Sequence, residues 1–418
     1  MRGVRFVVSI ATLTVLTGCW TVPGAGPQRS GQNPFETAIT PANAASLGRE
    51  WTWQADWTTA RQVSDPVVSA SGVHVSVGHE LVTIKPGDGI ERWRTPLFDP
   101  NLPVPVLTAR DPAAANGRVV VSIQSASPIV ASGTRAFDAN TGQDLGVVAA
   151  AANEVTVPRN TKLVGAYTSS GGSSGFVLTG YFVKDLVDET KSWTANLNLF
   201  SGGGVISPSS PAVGDDKFFL ANGQTLLAYP IAEPAGCVLV SGNFRTCPPR
   251  WSLGFGAGLT RPTLSGDGQF IVVGDAGHVM MFTADGASMW TAGLPTTAPP
   301  SAPLSIDAST VFAVSAGKLV AYGRGGCGLA SCSPLWSGDT AGSVALQPAI
   351  GGGVVYTATT AGVIWAFPAA GCGTATCEPF WKYDVGVPIT GGPSISGGHV
   401  LVGTQDGRVI SFRPGATG

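Results

Sequence analysis

An all-β ring of eight four-stranded antiparallel sheets is the architecture the sequence predicts, and three observations predict it. Gly (57) and Pro (31) together make roughly a fifth of the 418 residues along the whole length, while charged residues are only 12%. A tryptophan recurs in one strand-like setting, and a proline recurs at the start of an alternating apolar stretch, each at a period of about 45 residues. Interior Gly costs a helix about 1 kcal/mol and Pro about 3, so this composition excludes long helices. A hydrophobic fraction of 44% with few charges excludes a disordered chain. A formal net charge of −2 excludes a broad basic footprint, and with it nucleic acid as a partner.

In chain order, residues 1–18 read as an export signal. Arg2 and Arg5 supply the positive start, and Phe6 to Leu16 form an apolar run shorter than the ~20 residues a membrane-spanning helix needs. Leu16-Thr17-Gly18-Cys19 resembles a bacterial lipobox, in which the cysteine is diacylated and becomes the new N-terminus. An ordinary secretory signal that happens to hold a cysteine is the alternative. Two or more acyl chains hold a protein stably on a membrane. Residues 19–38, rich in Pro, Gly, Ser and Asn, read as a flexible tether. The expectation is an exported chain, anchored to a membrane by the lipid on Cys19 alone and facing away from the cytoplasm.

Residues 39–413 carry the repeat, with 414–418 as a tail. The tryptophans of the common setting are Trp93, Trp193, Trp251, Trp290, Trp336 and Trp381; the long first interval reads as two units with one Trp missing. The proline anchors are Pro66, Pro105, Pro158, Pro211, Pro262, Pro303, Pro348 and Pro393. Between anchors the pattern reads as four short strands separated by Gly, Asn, Asp or Ser turns. In the seventh unit these are Pro348–Ile350, Val354–Ala358, Val363–Phe367 and Phe380–Val385. Such units, repeated radially, make a β-propeller. The eighth unit has only three strands, and the orphan stretch Arg49-Glu50-Trp51-Thr52-Trp53 has the character of the missing one. An N-terminal strand completing the last blade closes the ring and removes a free edge. Seven blades remain the alternative, because the second and third units are irregular.

Cysteine usage agrees with export. With Cys19 given to the lipid, the other six fall into local pairs: Cys237 with Cys247, Cys327 with Cys332, and Cys372 with Cys377. Each pair lies between the third and fourth strands of its unit and reads as a disulfide worth about 2–3 kcal/mol. A zinc site needs two pairs converging in space, and the spacings here are not those of zinc ligands.

The segment Ala38-Ile39-Thr40-Pro41-Ala42-Asn43-Ala44-Ala45-Ser46-Leu47, followed by Trp51-Thr52-Trp53, resembles the opening of pyrroloquinoline-quinone-type (quinoprotein-like) propellers. Thr40 there reads as the cap of a short helix with Pro41 at its first position. The repeats resemble that family's blade motif, a short apolar strand ending in Asp-x-x-Thr-Gly, most fully at Arg135-Ala136-Phe137-Asp138-Ala139-Asn140-Thr141-Gly142. The resemblance implies one of two roles. The family's dehydrogenases carry the quinone with calcium and typically show adjacent cysteines and an acidic site, neither of which this sequence has. The propeller lipoprotein of the outer-membrane barrel-assembly machinery is similar in length and anchor and is not a catalyst.

Motifs of chemistry are sparse. His74, His79, His278 and His399 are spread over the repeats and read as structural. No Gly-x-Ser-x-Gly elbow leads into a helix, and the tracts 171–175 and 202–204 lack the Lys-Ser/Thr of a phosphate loop. No catalytic residue and no metal site is expected; Asp65 and Glu154 are the acids that a metal reading would use. The candidate binding region is the channel mouth. It comprises Asp65, Glu154, Arg261 and Gln347 beside anchors, and His79, Glu80, Asp275 and Asp406 in turns between second and third strands. The expected function is a non-catalytic, lipid-anchored scaffold for an unknown envelope protein or polymer, without cofactor. The alternative is an oxidoreductase using quinone (PQQ) and calcium in the channel.

Overall fold

Short apolar strands broken by glycine turns pair with their sequence neighbours, and the chain builds eight such sheets in succession. The computed structural model describes residues 20–56, 62–97, 107–125, 133–152, 154–156, 162–171, 176–201, 208–241, 244–329, 331–341 and 346–418. The signal segment, Cys19, Pro105, Pro158 and most of both Gly-rich tracts lie outside them. In each blade, strands A to D run from the axis to the rim. Blade 1 shows the pattern: Val67–Ser69, Gly72–Val77, Glu80–Ile84 and Glu91–Pro96, paired antiparallel in that order. The remaining inner strands are Ala113–Ala115, Glu154–Thr156, Ala212–Val213, Thr263–Leu264, Ser305–Ile306, Ala349–Gly351 and Ile389–Ser396. Antiparallel alternation puts the A–B and C–D turns on one face of the ring, here the hairpin face. The starts of the A strands and the B–C turns share the other, the anchor face.

The eighth blade closes as the sequence predicts. Leu47–Gln54 pairs antiparallel with Arg408–Pro414, matching Trp53 with Val409. Five described prolines, Pro66, Pro211, Pro262, Pro303 and Pro348, precede their inner strands as expected, whereas Pro393 lies inside Ile389–Ser396, and the second unit is anchored differently. Its inner strand follows Pro112, while Leu107–Ala109 pairs with the far half of Arg118–Ser125. In the third unit the inner strand lies ahead of Pro158. The short-helix reading at Thr40 is also corrected. Asn43, not Thr40, organises the turn by accepting the Thr40 N–H at 2.8 Å, and a single 3-10 turn follows at Ala44–Ser46.

Several of the periodic tryptophans fasten a blade to the next. The indole of Trp93 on blade 1 donates to the Ala139 carbonyl of blade 2, Trp251 to Ala284, Trp290 to Arg324, and Trp381 to Leu47. The first three rings lie on the next blade's C–D turn, and Trp381 reaches the start of the N-terminal strand that closes blade 8. At Gly142, with φ +72°, a Cβ would sit 2.5 Å from the Trp93 ring, so the motif's last position must be glycine. The outer strand of blade 2, Asp144–Ala149, carries no Trp, which accounts for the long first interval.

All three cysteine pairs are closed disulfides. They do more than tie the C–D loop. Ser331–Cys332 adds a parallel strand to the edge of blade 5, and Thr376 bridges Ser337 on the edge of blade 6. The hairpin inside the first loop, Val238–Ser241 with Phe244–Thr246, lies against Trp193–Ser201 of blade 3. Each stapled loop covers the outer edge of the preceding blade, where unpaired backbone would otherwise invite another chain.

Candidate functional site

The axis of the ring is where the sequence reading fails most. Residues 20–36, expected to be tether, are folded into the channel and make a circuit of it. The carbonyls of Trp20, Thr21, Pro27, Gln28, Ser30 and Gly31 accept N–H groups of Val68, Ala114, Val213, Leu264, Ile306 and Ile350 at 2.7–2.9 Å. Those donors belong to the inner strands of blades 1, 2, 4, 5, 6 and 7 in order. Blade 8 is reached by Asn33, whose amide donates to the Ile395 carbonyl at 2.9 Å. Glu36 completes the circuit by accepting the Gly398 N–H at 3.0 Å. Inner strands of two or three residues leave backbone donors facing the axis, and these must be paired somewhere. The segment pairs them.

Blade 3 is held by a side chain. Arg29 is fully buried. Its guanidinium donates to Thr156 Oγ1 at 2.8 and 3.1 Å and to the carbonyls of Pro211, Val155 and Pro23 at 2.9, 3.3 and 3.2 Å. The planar fork of five donors suits a pocket lined by carbonyls from several directions. Gly31 passes so close that a Cβ would overlap the Ser305 hydroxyl and lie 2.7 Å from the Pro348 carbonyl. No periodicity marks this stretch; Trp20 beside Cys19 and a lone Arg29 were its only unusual residues for a linker.

The predicted channel-mouth residues divide into two sets. Arg261 and Gln347 meet beside the axis on the anchor face, and Asp65 makes a separate set of contacts on that face. Asp65 accepts the Gly392 N–H at 2.7 Å, and its own N–H donates to Asp111 Oδ1 at 3.0 Å, linking blades 8, 1 and 2. Arg261 donates to Gln347 Oε1 at 2.6 Å, and the Gln347 amide donates to the Arg29 and Leu304 carbonyls. The turn residues stay apart, each with partners near its own blade. Glu80 lies 3.4 Å from Arg94, which also pairs with Glu91 and Asp56; its carboxyl is raised by burial against the pull of Arg94. Asp275 pairs with His278 at 3.0 Å, Asp406 with Arg408 at 2.8 Å, and the His79 carbonyl accepts the Leu97 N–H at 2.7 Å. The Glu154 side chain lies outside the described residues.

The histidines are structural where they are buried. His74 sits between the hydroxyls of Ser69 and Thr83, each 2.7 Å from a ring nitrogen, and burial with the nearby Arg92 lowers its pKa to about 3. His399 is lowered too, mainly by burial, although Glu50 lies 2.9 Å away and opposes the shift.

Eight four-stranded blades, most of them docked on the next by a tryptophan over a glycine turn, define a quinoprotein-like propeller. A family model described as outer membrane protein assembly factor BamB matches residues 43–235 and 275–414, and the chain belongs to that family. Among solved structures it is similar to BamB from Moraxella catarrhalis, at 15% identity and TM-score 0.57, covering 88% of this chain and 97% of that one. It is also similar to the quinohemoprotein alcohol dehydrogenase from Comamonas testosteroni, at 14% identity and TM-score 0.63, covering 96% of this chain and 81% of that one. A computationally designed protein, Ika8, matches with TM-score 0.59 at 13% identity, over 88% of this chain and the whole of its own. These likenesses concern the fold. No curated protein matches the sequence significantly.

The quinone of the dehydrogenases, with its calcium, needs space on the axis and several converging oxygen ligands. Residues 20–36 fill the axis, and among the described residues no three His, Cys, Asp or Glu side chains converge on a point. The residues present do not fit that pair. Three disulfides and the family together point to an exported chain outside the cytoplasm.

Proposed function

We propose that the protein is a non-catalytic scaffold, lipid-anchored through Cys19, whose propeller binds an envelope protein or polymer. The observation that carries this reading is the filled channel. A ring whose inner strands are hydrogen-bonded to the chain's own residues 20–36 has its outer surfaces left for binding. On the anchor face, the Asp65–Asp111 and Arg261–Gln347 groups present charge held in fixed geometry by blades far apart in sequence, which suits recognition of a polar partner.

The alternative, a quinone-dependent oxidoreductase, draws on the likeness to the quinohemoprotein alcohol dehydrogenase and requires residues 20–36 to leave the channel. Purified protein is mixed with the quinone and calcium, and its absorption spectrum and dye reduction are recorded. The scaffold reading expects the free quinone's spectrum and no turnover; a shifted spectrum with turnover overturns it. For the partner, photo-crosslinkers placed at Arg261 and Gln347 in cells should capture one defined envelope component. Adducts no more specific than those from Asp285, on the opposite face, would remove the anchor face from consideration.

A further inference from the structure

The folded segment 20–36 removes the slack between the propeller and any lipid on Cys19. A flexible linker of twenty residues would let the ring drift about 25 Å from its anchor, in any orientation. Instead Trp20, only 2% exposed, is pinned by its carbonyl to Val68, and Cys19 is the residue before it in the sequence.

The segment is exposed on one side only. Thr21 lies among the A–B turns of blades 1 and 2, Ser69–Ser71 and Asn116–Arg118, together with Phe35. Pro27, Gln28, Gln32 and Pro34 open beside the A–B turns of blades 5 and 6 on the same face. Toward the anchor face the segment is covered instead: Gly24 packs on Gln347, and Arg29 is enclosed by Thr156 and Pro211.

That exposed face also carries apolar side chains. Phe35 stands at its centre, 61% exposed, and Ile90, Val187 and Leu335 stand in or beside its C–D turns, also exposed. Among the described residues, none of the large exposed apolar side chains lies in a B–C turn. Large apolar side chains gathered on the one face where the segment beside Cys19 is exposed suit that face to an apolar surface.

We propose that the hairpin face is the membrane-contacting surface of the protein. The occupant is the bilayer that holds the Cys19 lipid, with Phe35, Ile90, Val187 and Leu335 entering its headgroup region. The anchor face, with Asp65, Arg261 and Gln347, then points away from the membrane toward a partner. This rests on the lipid-anchor reading, so the two are tested separately.

For the face, the mature chain beginning at Cys19 is coupled through that thiol to a synthetic diacyl maleimide lipid and placed on phosphatidylcholine–phosphatidylglycerol vesicles. Hydrogen exchange is compared with the same chain capped by N-ethylmaleimide in solution. Amides around Phe35, Ile90 and Val187 should exchange roughly tenfold more slowly on vesicles, with the B–C turns at 276–277 and 405–407 unchanged. Slowing confined to the B–C turns, equal slowing on both faces, or none on a chain that floats with the vesicles overturns the proposal. For the anchor, Cys19→Ser should move the protein to the soluble fraction of cells. Retention on the membrane refutes the lipid and leaves the face to be decided by the vesicle experiment.

Discussion

Replacing Arg29 by Met tests whether residues 20–36 are part of the folded ring or merely rest in it. The substitution keeps the length of the side chain and removes a guanidinium that serves Thr156 Oγ1 and three carbonyls inside the channel. Hydrogen bonds to a charged group contribute about 1.5–3 kcal/mol each, but they share one side chain and are not additive. Part is recovered, because the Thr156 hydroxyl is 3.2 Å from the Pro211 carbonyl and can donate to it alone. Thr156 then satisfies one acceptor and leaves two carbonyls without the guanidinium. A net loss of about 3–5 kcal/mol in the local stability of the segment follows. The readout is hydrogen exchange at Val68, Ala114, Val213, Leu264, Ile306 and Ile350, whose N–H groups donate to the segment's carbonyls. If these amides exchange through local opening, their rates should rise by roughly two to four powers of ten, since each 1.4 kcal/mol is tenfold. Strands away from the axis, such as Glu80–Ile84, should keep their rates. Arg29→Lys should fall between, because an ammonium is a point donor that cannot span the same set. Unchanged exchange at the six amides in Arg29→Met would refute the reasoning.

Two further outcomes are expected. His74 is held neutral at a pKa of about 3 against 6.5 when unfolded, so the unfolded chain takes up a proton first. Its contribution is therefore complete above pH 6.5 and is lost as the pH falls toward 3; between pH 7 and pH 5 the loss is about 2 kcal/mol. Urea unfolding at the two pH values should show His74→Gln losing less than the native chain by that amount, and equal losses would contradict it. Cys327→Ser with Cys332→Ser should cost about 2 kcal/mol through loop closure. It should also loosen the strand covering Ser288–Gly293, seen as concentration-dependent association in sedimentation. A variant of lower stability that stays monomeric would confine the disulfide to a role inside its own loop.

Much of the fold was legible because it is built from local repeats. The seventh unit's strands were placed within a residue or two, since strand length and Gly turns are set by neighbouring residues. The closing strand was legible because an eighth unit lacking one strand and an orphan Trp-rich stretch are complementary. The second and third anchors were misplaced where the pattern is irregular. Blade 2 splits its inner strand into Leu107–Ala109 and Ala113–Ala115, and the choice between Pro105 and Pro112 rests on pairing with Arg118–Ser125. At the candidate site, Asp65, Arg261 and Gln347 were named because each precedes an inner strand. Asp275 and Asp406 were named by the same face argument, yet B–C turns lie outward from the axis and these acids pair with His278 and Arg408.

The sequence by itself determined the ring: its strand period, the recurrence of its tryptophans, its closure and its three cysteine pairs. Each depends on residues close together in the chain or on a pattern repeated along it. Only the tertiary structure decided what fills the axis and which polar groups meet there. Arg261 and Gln347 are 86 positions apart, and Asp65 and Gly392 are 327 apart. Residues 20–36 look like a linker because Gly, Pro, Ser and Asn are poor partners for one another. They are ordered because six inner strands, brought together by closure, offer that backbone the hydrogen bonds it cannot make alone, while the side chains of Arg29, Asn33 and Glu36 reach the other two blades.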